Sequence, residues 1–207
     1  MKAYARWSYE NGYYFRDETI LQFGDSWELI ANLILLNPGS AKPLNNEISD
    51  DFLMSKKLPY LSKPNNNQHY YEFSIDPLMR NILKCFSKNF NGGVIKIYNL
   101  FNLKNPDSGS ALKLSEMIKS QYLFTKEIKF LDKPVIFASG QSINEVLKNE
   151  LKNFYKQANT NKKYYLSKTD DKKFAFVKVQ NINDIYNSYH PSYTFSYGND
   201  SICELYL

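Results

Sequence analysis

The sequence predicts an α/β protein whose helices cover both faces of a central, mostly parallel sheet, forming a three-layer α/β/α sandwich. Short apolar runs, each closed by glycine, proline or asparagine, are typical of buried strands. Segments with apolar residues at helical spacing separate these runs, and such alternation favours parallel strands joined by right-handed crossovers. The expected buried strands lie at 33–36, within 92–101 and at 134–138.

A length of 207 residues predicts a single domain, which we assign to residues 1–207. Its N-terminus, about 1–20, alternates aromatic and polar residues around Asn11-Gly12 and predicts a β-hairpin. Residues from about 42 to 73 are rich in Asn, Lys, Pro and Ser and predict a long, partly ordered insertion. His69 is expected to be a loop residue within that insertion.

Three helices are expected between and after the strands. One spans 76–90 behind an Asp-Pro start, a long amphipathic one spans 111–131, and a third follows the glycine turn after residue 138. A lysine-rich segment then precedes a final strand at 172–179.

The composition limits the classes of partner and compartment. Lys and Arg number 26 against 21 Asp and Glu, a net charge of +5 that is compatible with a polyanion without requiring one. Arginine occurs only at Arg6, Arg16 and Arg80, which favours contacts to a nucleic-acid backbone over base-edge readout. Two cysteines define neither a disulfide framework nor a zinc site, and no apolar run has the length of a membrane span. We therefore expect a soluble, cytoplasmic protein.

Polar motifs follow three of the expected strands. They are Asn37-Pro38-Gly39, Asn99-Leu100-Phe101 and Ser139-Gly140-Gln141-Ser142. Ligands of parallel α/β sheets bind at the carboxyl ends of the strands, so these motifs predict the edge that carries the functional site. A fourth motif, Tyr189-His190-Pro191-Ser192, places a histidine on a rigid, aromatic-rich turn near the C-terminus.

The ordered motifs LLNPGS, IYNLF, VIFASGQS and YHPS resemble those of the uracil-DNA glycosylase superfamily. The chain is also similar to a family of bacterial and phage proteins with Leu-Asn-Pro-Ser-like and Asn-Leu-Phe motifs. The resemblance covers residues 28–197 as short islands. It implies an enzyme that hydrolyses the N-glycosidic bond of a flipped pyrimidine in DNA and leaves an abasic site.

The resemblance also implies a role for individual residues. Asn37 would orient the hydrolytic water, and His190 would stabilise the departing base anion. Asn99 would read the base edge in a pocket that also includes Gly39 and Phe101. Four residues are assigned to DNA contacts, of which the two aromatic ones are candidates for the wedge that fills the gap in the stack: Ser142, Ser192, Tyr193 and Phe195.

Two departures from the superfamily pattern bear on substrate and mechanism. The best-known branch has an aspartate where this chain has Asn37, so the water would be positioned rather than deprotonated, unless Asp50 or Asp51 assists. The same branch has a tyrosine at the position of Gly39, and its absence leaves room for a pyrimidine enlarged at C5. A hypermodified phage base would be such a target, with genome defence as its setting.

Three alternatives remain open at this point. They are a uracil or mismatch repair glycosylase, a non-catalytic nucleic-acid binder on the same scaffold, and a hydrolase or transferase of free nucleotides. The segment ASGQS lacks the spacing of a serine-hydrolase nucleophile elbow. No cysteine cluster matches the iron–sulfur branches, so we expect no metal. The resemblance further implies no cofactor, double- or single-stranded DNA as the partner, and a monomeric state.

Overall fold

The computed structural model describes residues 1–141, 143–169 and 174–193, and in these residues nine strands form one mixed sheet. The strands are β1 (Lys2–Glu10), β2 (Tyr13–Phe23), β3 (Leu29–Leu35), β4 (Pro43–Ile48), β5 (Gln68–Phe73), β6 (Gly93–Asn99), β7 (Val135–Phe137), β8 (Lys163–Lys168) and β9 (Phe174–Lys178). The helices are α1 (Asp50–Ser55), α2 (Pro77–Ser87), α3 (Ser108–Met117), α4 (Glu145–Gln157) and α5 (Ile182–Tyr186).

The strand order is β4-β5-β1-β2-β6-β3-β7-β8-β9. Strands β6, β3 and β7 are parallel, as the alternating pattern predicts, and β8 pairs parallel with β7. The remaining pairings are antiparallel, so the expectation of a mostly parallel sheet is wrong. The physical reason is that the N-terminal hairpin pairs with β6 and extends the sheet, while β9 folds back on β8.

Strand β3 is the central parallel strand, and all seven of its residues are buried. Leu33 and Leu35 pack in one hydrophobic cluster, and Ile34 packs in another, because successive side chains point to opposite faces. Helix α2 contributes to the first cluster, and α3 and α4 contribute to the second. Such a strand has no solvated face, which explains its continuous apolar sequence.

Helix α2 begins where the Asp-Pro pair predicts. Asp76 is the N-cap, and its carboxylate accepts a hydrogen bond from the backbone N–H of Met79 at 2.8 Å. Pro77 occupies the first helical position, where its missing N–H removes no helical hydrogen bond.

The expected insertion at 42–73 is in large part regular structure. It contains β4, helix α1 and β5, and β5 pairs with β1 along the edge of the hairpin. His69 therefore lies in a strand and not in a loop. Strand β5 pairs with β1, which lies some sixty residues earlier in the sequence. The composition of residues 42–73 alone therefore did not indicate a strand there.

The long helix expected at 111–131 is also wrong. Helix α3 ends at Met117, and Ile118 is already extended, with a ψ of 124°. The following residues keep their apolar side chains in the core without helical structure, as Leu123 and Phe130 show. The Leu123 carbonyl accepts a hydrogen bond from the backbone N–H of Asn102, which ties this segment to the end of β6.

Strand β8, in the lysine-rich segment, was missed by the sequence analysis. Its buried residues, Tyr164 and Leu166, alternate with less buried ones, and it pairs with β7 on one side and β9 on the other. The expected strand at 172–179 is confirmed in its described part as β9.

A buried ion pair connects the hairpin to the parallel strands. Lys96 of β6 and Glu18 of β2 are both buried, with the ammonium nitrogen 3.0 Å from the carboxylate. Glu18 also accepts the backbone N–H of Ser62, and Lys96 donates to the Tyr60 carbonyl. The chain from Tyr60 to Ser62 is thereby fixed over both strands.

We expect Glu18→Gln to lower the free energy of unfolding by about 3–5 kcal/mol, because it leaves the Lys96 charge buried and unpaired. Glu18→Gln combined with Lys96→Met should recover much of this loss, which urea denaturation would measure. Glu28→Gln, which breaks an exposed pair with Lys133, is the control and should leave the urea midpoint almost unchanged. Equal effects of the two single variants would contradict this account.

Candidate functional site

The carboxyl ends of β3, β6 and β7 lie side by side at one edge of the sheet. Leu35 is in register with Asn99, and Ile34 is in register with Phe137. The chain leaving each strand stays close to its neighbour, since the Ala138 N–H donates to the Ile34 carbonyl at 2.9 Å. This edge therefore carries the three motifs that the sequence analysis singled out.

A cavity of about 250 Å³ opens at this edge, next to the turn that holds His190. Its walls come from the exits of β3 and β7, the first turns of α3 and the His-Pro-Ser turn. The lining residues are Leu36, Ser108, Gly109, Leu112, Ser139, Gly140, Gln141, His190 and Tyr193.

Backbone and side-chain contacts hold the turn that carries His190. The Tyr189 N–H donates to the Leu166 carbonyl of β8 at 2.8 Å, and Gln141 donates to the Asn187 carbonyl at 3.0 Å. After the histidine, the Tyr193 N–H donates to the His190 carbonyl. His190 is thus fixed to both β8 and the exit of β7.

The contacts of His190 assign its tautomer. Its Nδ1 accepts the backbone N–H of Ser192 at 3.3 Å and lies 2.8 Å from the Ser192 hydroxyl. A neutral ring that accepts at Nδ1 carries its proton on Nε2. Although His190 is only half-buried, the protein packed around its ring lowers its pKa to about 4, because partial loss of hydration disfavours the imidazolium. At neutral pH the cavity therefore contains an uncharged ring with an N–H donor at Nε2.

Gly140 permits the close approach of this ring. Its φ is +88°, and a Cβ at this position would lie 3.4 Å from the His190 Cβ. A side chain here would be strained by the backbone conformation, although its Cβ would lie at an ordinary contact distance from the histidine.

Asn99 lies at the carboxyl end of β6 and is buried. Strand alternation directs its side chain to the face of Ile97, whereas Leu36 and Leu112 of the His190 cavity belong to the cluster on the other face. Within the described residues its amide makes no hydrogen bond, so both its donor and its acceptor are unused.

Asn37 is half-buried and donates from Nδ2 to the Asn105 carbonyl at 3.1 Å. Neither Asn37 nor Asn99 lines the His190 cavity. The structure therefore brings Asn37, Asn99 and His190 to one edge of the sheet but does not place them around one cavity.

The other residues assigned to the base pocket have clear positions. Gly39 has a φ of +70°, and a Cβ there would meet no atom within 4 Å. There is room beside it, but any side chain would be strained by the left-handed backbone. Phe101 is fully buried in the core, so it could touch a base only if its neighbours moved.

Two of the residues assigned to DNA contacts are described, and both lie at the His190 turn. Ser192 contacts the imidazole, as above. Tyr193 is 54% exposed, and its ring stands edge-on to Tyr189 with 6.0 Å between centroids. Ser142 and Phe195 lie outside the described residues.

The acidic pair lies at a distance from this edge. Helix α1 carries Asp50 and Asp51 and packs beside β5, which β1, β2 and β6 separate from β3. The Asp50 carboxylate is 2.8 Å from Nδ1 of His69 and accepts the backbone N–H of Tyr70. These contacts indicate a structural role, and the predicted assistance to catalysis has no support from this position.

Sequence reasoning missed the contribution of α3 to the cavity. Asp107 caps this helix by accepting the Ser110 N–H at 2.6 Å, and Ser108 and Gly109 of its first turn face the cavity. The segment Asn-Pro-Asp-Ser-Gly-Ser contained the signal, since an aspartate before small polar residues is a common N-cap.

Comparisons with protein-family models, curated proteins and solved structures find no match for this chain. Across 1–141, 143–169 and 174–193, no helix is both long and apolar enough to cross a membrane. In the same ranges, no group of three or more His, Cys, Asp or Glu is arranged to hold a metal ion.

We expect the His190 ring to stay neutral between about pH 8 and about pH 5, whereas an unperturbed histidine would titrate near 6.5. Between pH 6.5 and about 4, His190 binds more protons in the unfolded chain than in the folded one. Its contribution to the free energy of unfolding therefore decreases as the pH falls from 6.5 to about 4. The chain has only two histidines, and NMR spectra of a His69→Asn variant would assign the His190 signals. A His190 titration midpoint above pH 6 would contradict the assignment.

Proposed function

We propose that the protein is a DNA glycosylase that hydrolyses the N-glycosidic bond of a flipped pyrimidine and leaves an abasic site. The scaffold would be a three-layer α/β/α sandwich, supported by helix α2 on one face and helices α3 and α4 on the other. The observation that carries the proposal is the neutral His190 in a cavity at the carboxyl edge of the parallel strands.

The chemistry matches what glycosidic cleavage requires. The leaving pyrimidine develops negative charge on its carbonyl oxygen, and a fixed N–H donor stabilises this charge without being ionised. The tautomer of His190 supplies such a donor at Nε2, and the contact of Nδ1 with Ser192 fixes the orientation of the ring. The cavity of about 250 Å³ is also of the size of a single flipped base.

Asn37 and Asn99 would complete the site. The Asn99 amide has no hydrogen-bond partner in the part of the chain that the structure describes, so it can donate to and accept from the edge of a base. The Asn37 amide nitrogen is held by Asn105, which leaves its oxygen as an acceptor for a water molecule. Because neither residue lines the cavity and the Asn99 side chain is directed to the other face of the sheet, the proposal requires that bound DNA rearranges the loop after β3 and the end of β6 itself.

The preferred substrate in this proposal is a pyrimidine enlarged at C5. Open space beside Gly39 supports this choice, since a Cβ there meets nothing within 4 Å. A repair enzyme for uracil or mismatched bases is the alternative within the same class. Genome defence against phages with modified DNA is the setting that a C5-modified substrate would imply.

A non-catalytic nucleic-acid binder is the second candidate function. One observation favours it, namely that Asn37 and Asn99 lie outside the His190 cavity, so the structure does not bring the proposed catalytic set together.

Cleavage of modified DNA separates these candidates. Duplex and single-stranded oligonucleotides carrying uracil, 5-hydroxymethyluracil or a bulkier C5-substituted pyrimidine are incubated with the protein, and alkali then reveals abasic sites. The glycosylase proposal expects strand breaks at the modified position. A nucleic-acid binder would shift the mobility of the oligonucleotides without producing any break.

We expect His190→Ala to lower the single-turnover cleavage rate by about a hundredfold or more, because one preorganised donor to the leaving anion is lost. DNA affinity should change little. His69→Asn is the matched control. It removes the other histidine, which lies on β5 and contacts Asp50 of α1. Undiminished cleavage by folded His190→Ala protein would remove the imidazole from the mechanism.

We expect Gly39→Tyr to abolish cleavage of the bulky C5-substituted base while uracil cleavage, if present, is retained. Gly39→Asn is the control for backbone strain, because asparagine tolerates the left-handed conformation better than most residues do. Equal losses in both variants, on all substrates, would mean that the glycine serves the backbone conformation and not the pocket.

A further inference from the structure

A second concave surface lies on the antiparallel half of the sheet. This cleft has a volume of about 570 Å³ and is lined by Trp7, Tyr14, Lys42, Pro43, Asn46, Tyr71 and Lys104. The loop after β3 separates it from the His190 cavity, since Leu36 lines the cavity while Lys42 and Pro43 line the cleft. None of the residues assigned to the glycosylase site lines it.

Strand pairing explains the aromatic wall of the cleft. Trp7 of β1 is in register with Arg16 of β2, and Tyr9 is in register with Tyr14, so alternate positions of the hairpin share one face. Tyr14 is 56% exposed, and its ring lies 4.8 Å from that of Tyr9. Tyr71 of β5 extends the same face.

The cations come from the ends of the parallel strands. Lys42 follows the loop after β3, and Lys104 follows the chain that leaves β6. The Lys104 backbone N–H donates to the Tyr14 carbonyl at 2.9 Å, which holds this lysine beside the aromatic wall. Burial, followed by the charges of Lys42 and Arg16, lowers the pKa of Lys104. No acidic side chain is among the residues that line the cleft.

Arg16 adds a third positive charge, which lies beneath the aromatic side chains of the cleft. Its side chain is buried, with the guanidinium carbon 5.5 Å from the Trp7 ring and 4.7 Å from the Phe73 ring. It donates to the Pro38 carbonyl, but among the described residues its Nε and Nη1 have no hydrogen-bond partner, and neither does the indole N–H of Trp7. Burial lowers the pKa of Arg16 and the charge of Asp76 partly offsets this, but within the described residues the side chains of Arg16 and Asp76 form no ion pair. The region is thus rich in donors and poor in acceptors.

We propose that this cleft binds a single nucleotide unit, with the base against Tyr14 and Trp7 and the phosphate between Lys42 and Lys104. Aromatic side chains provide stacking for any base, and paired lysines provide the charge that a phosphate requires. The volume of about 570 Å³ is larger than a phosphate ion needs, which argues for a ligand with a ring. This proposal is independent of the glycosylase proposal, since it uses different residues and predicts binding alone.

Tryptophan fluorescence tests the proposal directly, because the chain has two tryptophans and Trp7 lines the cleft. A Trp27→Phe protein leaves Trp7 as the sole reporter. We titrate it with thymidine 5′-monophosphate, thymidine, inorganic phosphate and the oligonucleotide (dT)8. The proposal expects the monophosphate to quench Trp7 and to bind at least about tenfold more tightly than thymidine or phosphate alone.

The oligonucleotide shows whether the ligand is a nucleotide within a strand or a free nucleotide. Tighter binding of (dT)8 than of the monophosphate identifies a strand as the ligand, and equal binding identifies a free nucleotide. Absence of quenching by both would overturn the proposal. If thymidine bound as tightly as the monophosphate, the phosphate would make no contact, and the proposal would be overturned. If inorganic phosphate bound as tightly as the monophosphate, the base would make no contact, with the same consequence.

Substitutions of single residues that line the cleft test where the nucleotide binds. Lys104→Gln should weaken binding of the monophosphate by about tenfold or more, while Tyr14→Leu should weaken both the monophosphate and thymidine. Lys152→Gln, an exposed position on α4, is the matched control and should bind as the parent does. Equal weakening by Lys104→Gln and Lys152→Gln would overturn the assignment of the cleft, provided that urea midpoints show all variants folded.

Discussion

The parallel pairing of β3 with β6 on one side and β7 on the other is the constraint on which the rest of this structure depends. Leu35 pairs with Asn99 and Ile34 with Phe137, so three chain segments leave the sheet at the same edge. The central strand is also buried on both faces, with residues of α2 in the hydrophobic cluster on one side and residues of α3 and α4 in the cluster on the other. The buried pair of Lys96 and Glu18 then joins this parallel unit to the hairpin.

The loop after β3 divides two chemically different sites. On one side lies His190, an uncharged donor whose pKa is lowered by burial. On the other lies the cleft with Lys42, Lys104 and the buried Arg16, whose pKa is lowered by burial to about 10 and which therefore stays charged at neutral pH. The hydrogen bond from Arg16 to the Pro38 carbonyl connects the cleft to this loop. A movement of the loop would therefore alter both sites together.

The features that could be predicted from the sequence are those whose signal is local. Strands β3, β6 and β7 have continuous apolar sequences that end at breakers, and α2 has Asp76 and Pro77 at its start. The position of the candidate site followed from these strand ends. His190 was found because a histidine followed by a proline and a serine is a compact local motif.

The features that were missed depend on contacts between distant parts of the chain. Strand β5 is stabilised by β1, and β8 by β7 and β9, so their polar sequences did not indicate strands. Residues 118–131 have an apolar pattern close to that of a helix, but they fill the core as irregular chain. The burial of Arg16 could not be inferred either, because its environment combines rings from β1 and β5 with a carbonyl from the loop after β3.

The central claim is that the His190 cavity receives a flipped base, and a structure of the protein with DNA tests it most directly. The DNA would carry a 2′-fluoro-2′-deoxynucleotide with a C5-substituted pyrimidine, because fluorine at C2′ slows cleavage of the glycosidic bond. The account predicts that the base lies outside the duplex, with a carbonyl oxygen of the base within hydrogen-bond distance, about 3 Å, of the His190 Nε2. A base that stays stacked in the duplex, or that occupies the cleft beside Trp7 and leaves the His190 cavity without a base, would contradict the account.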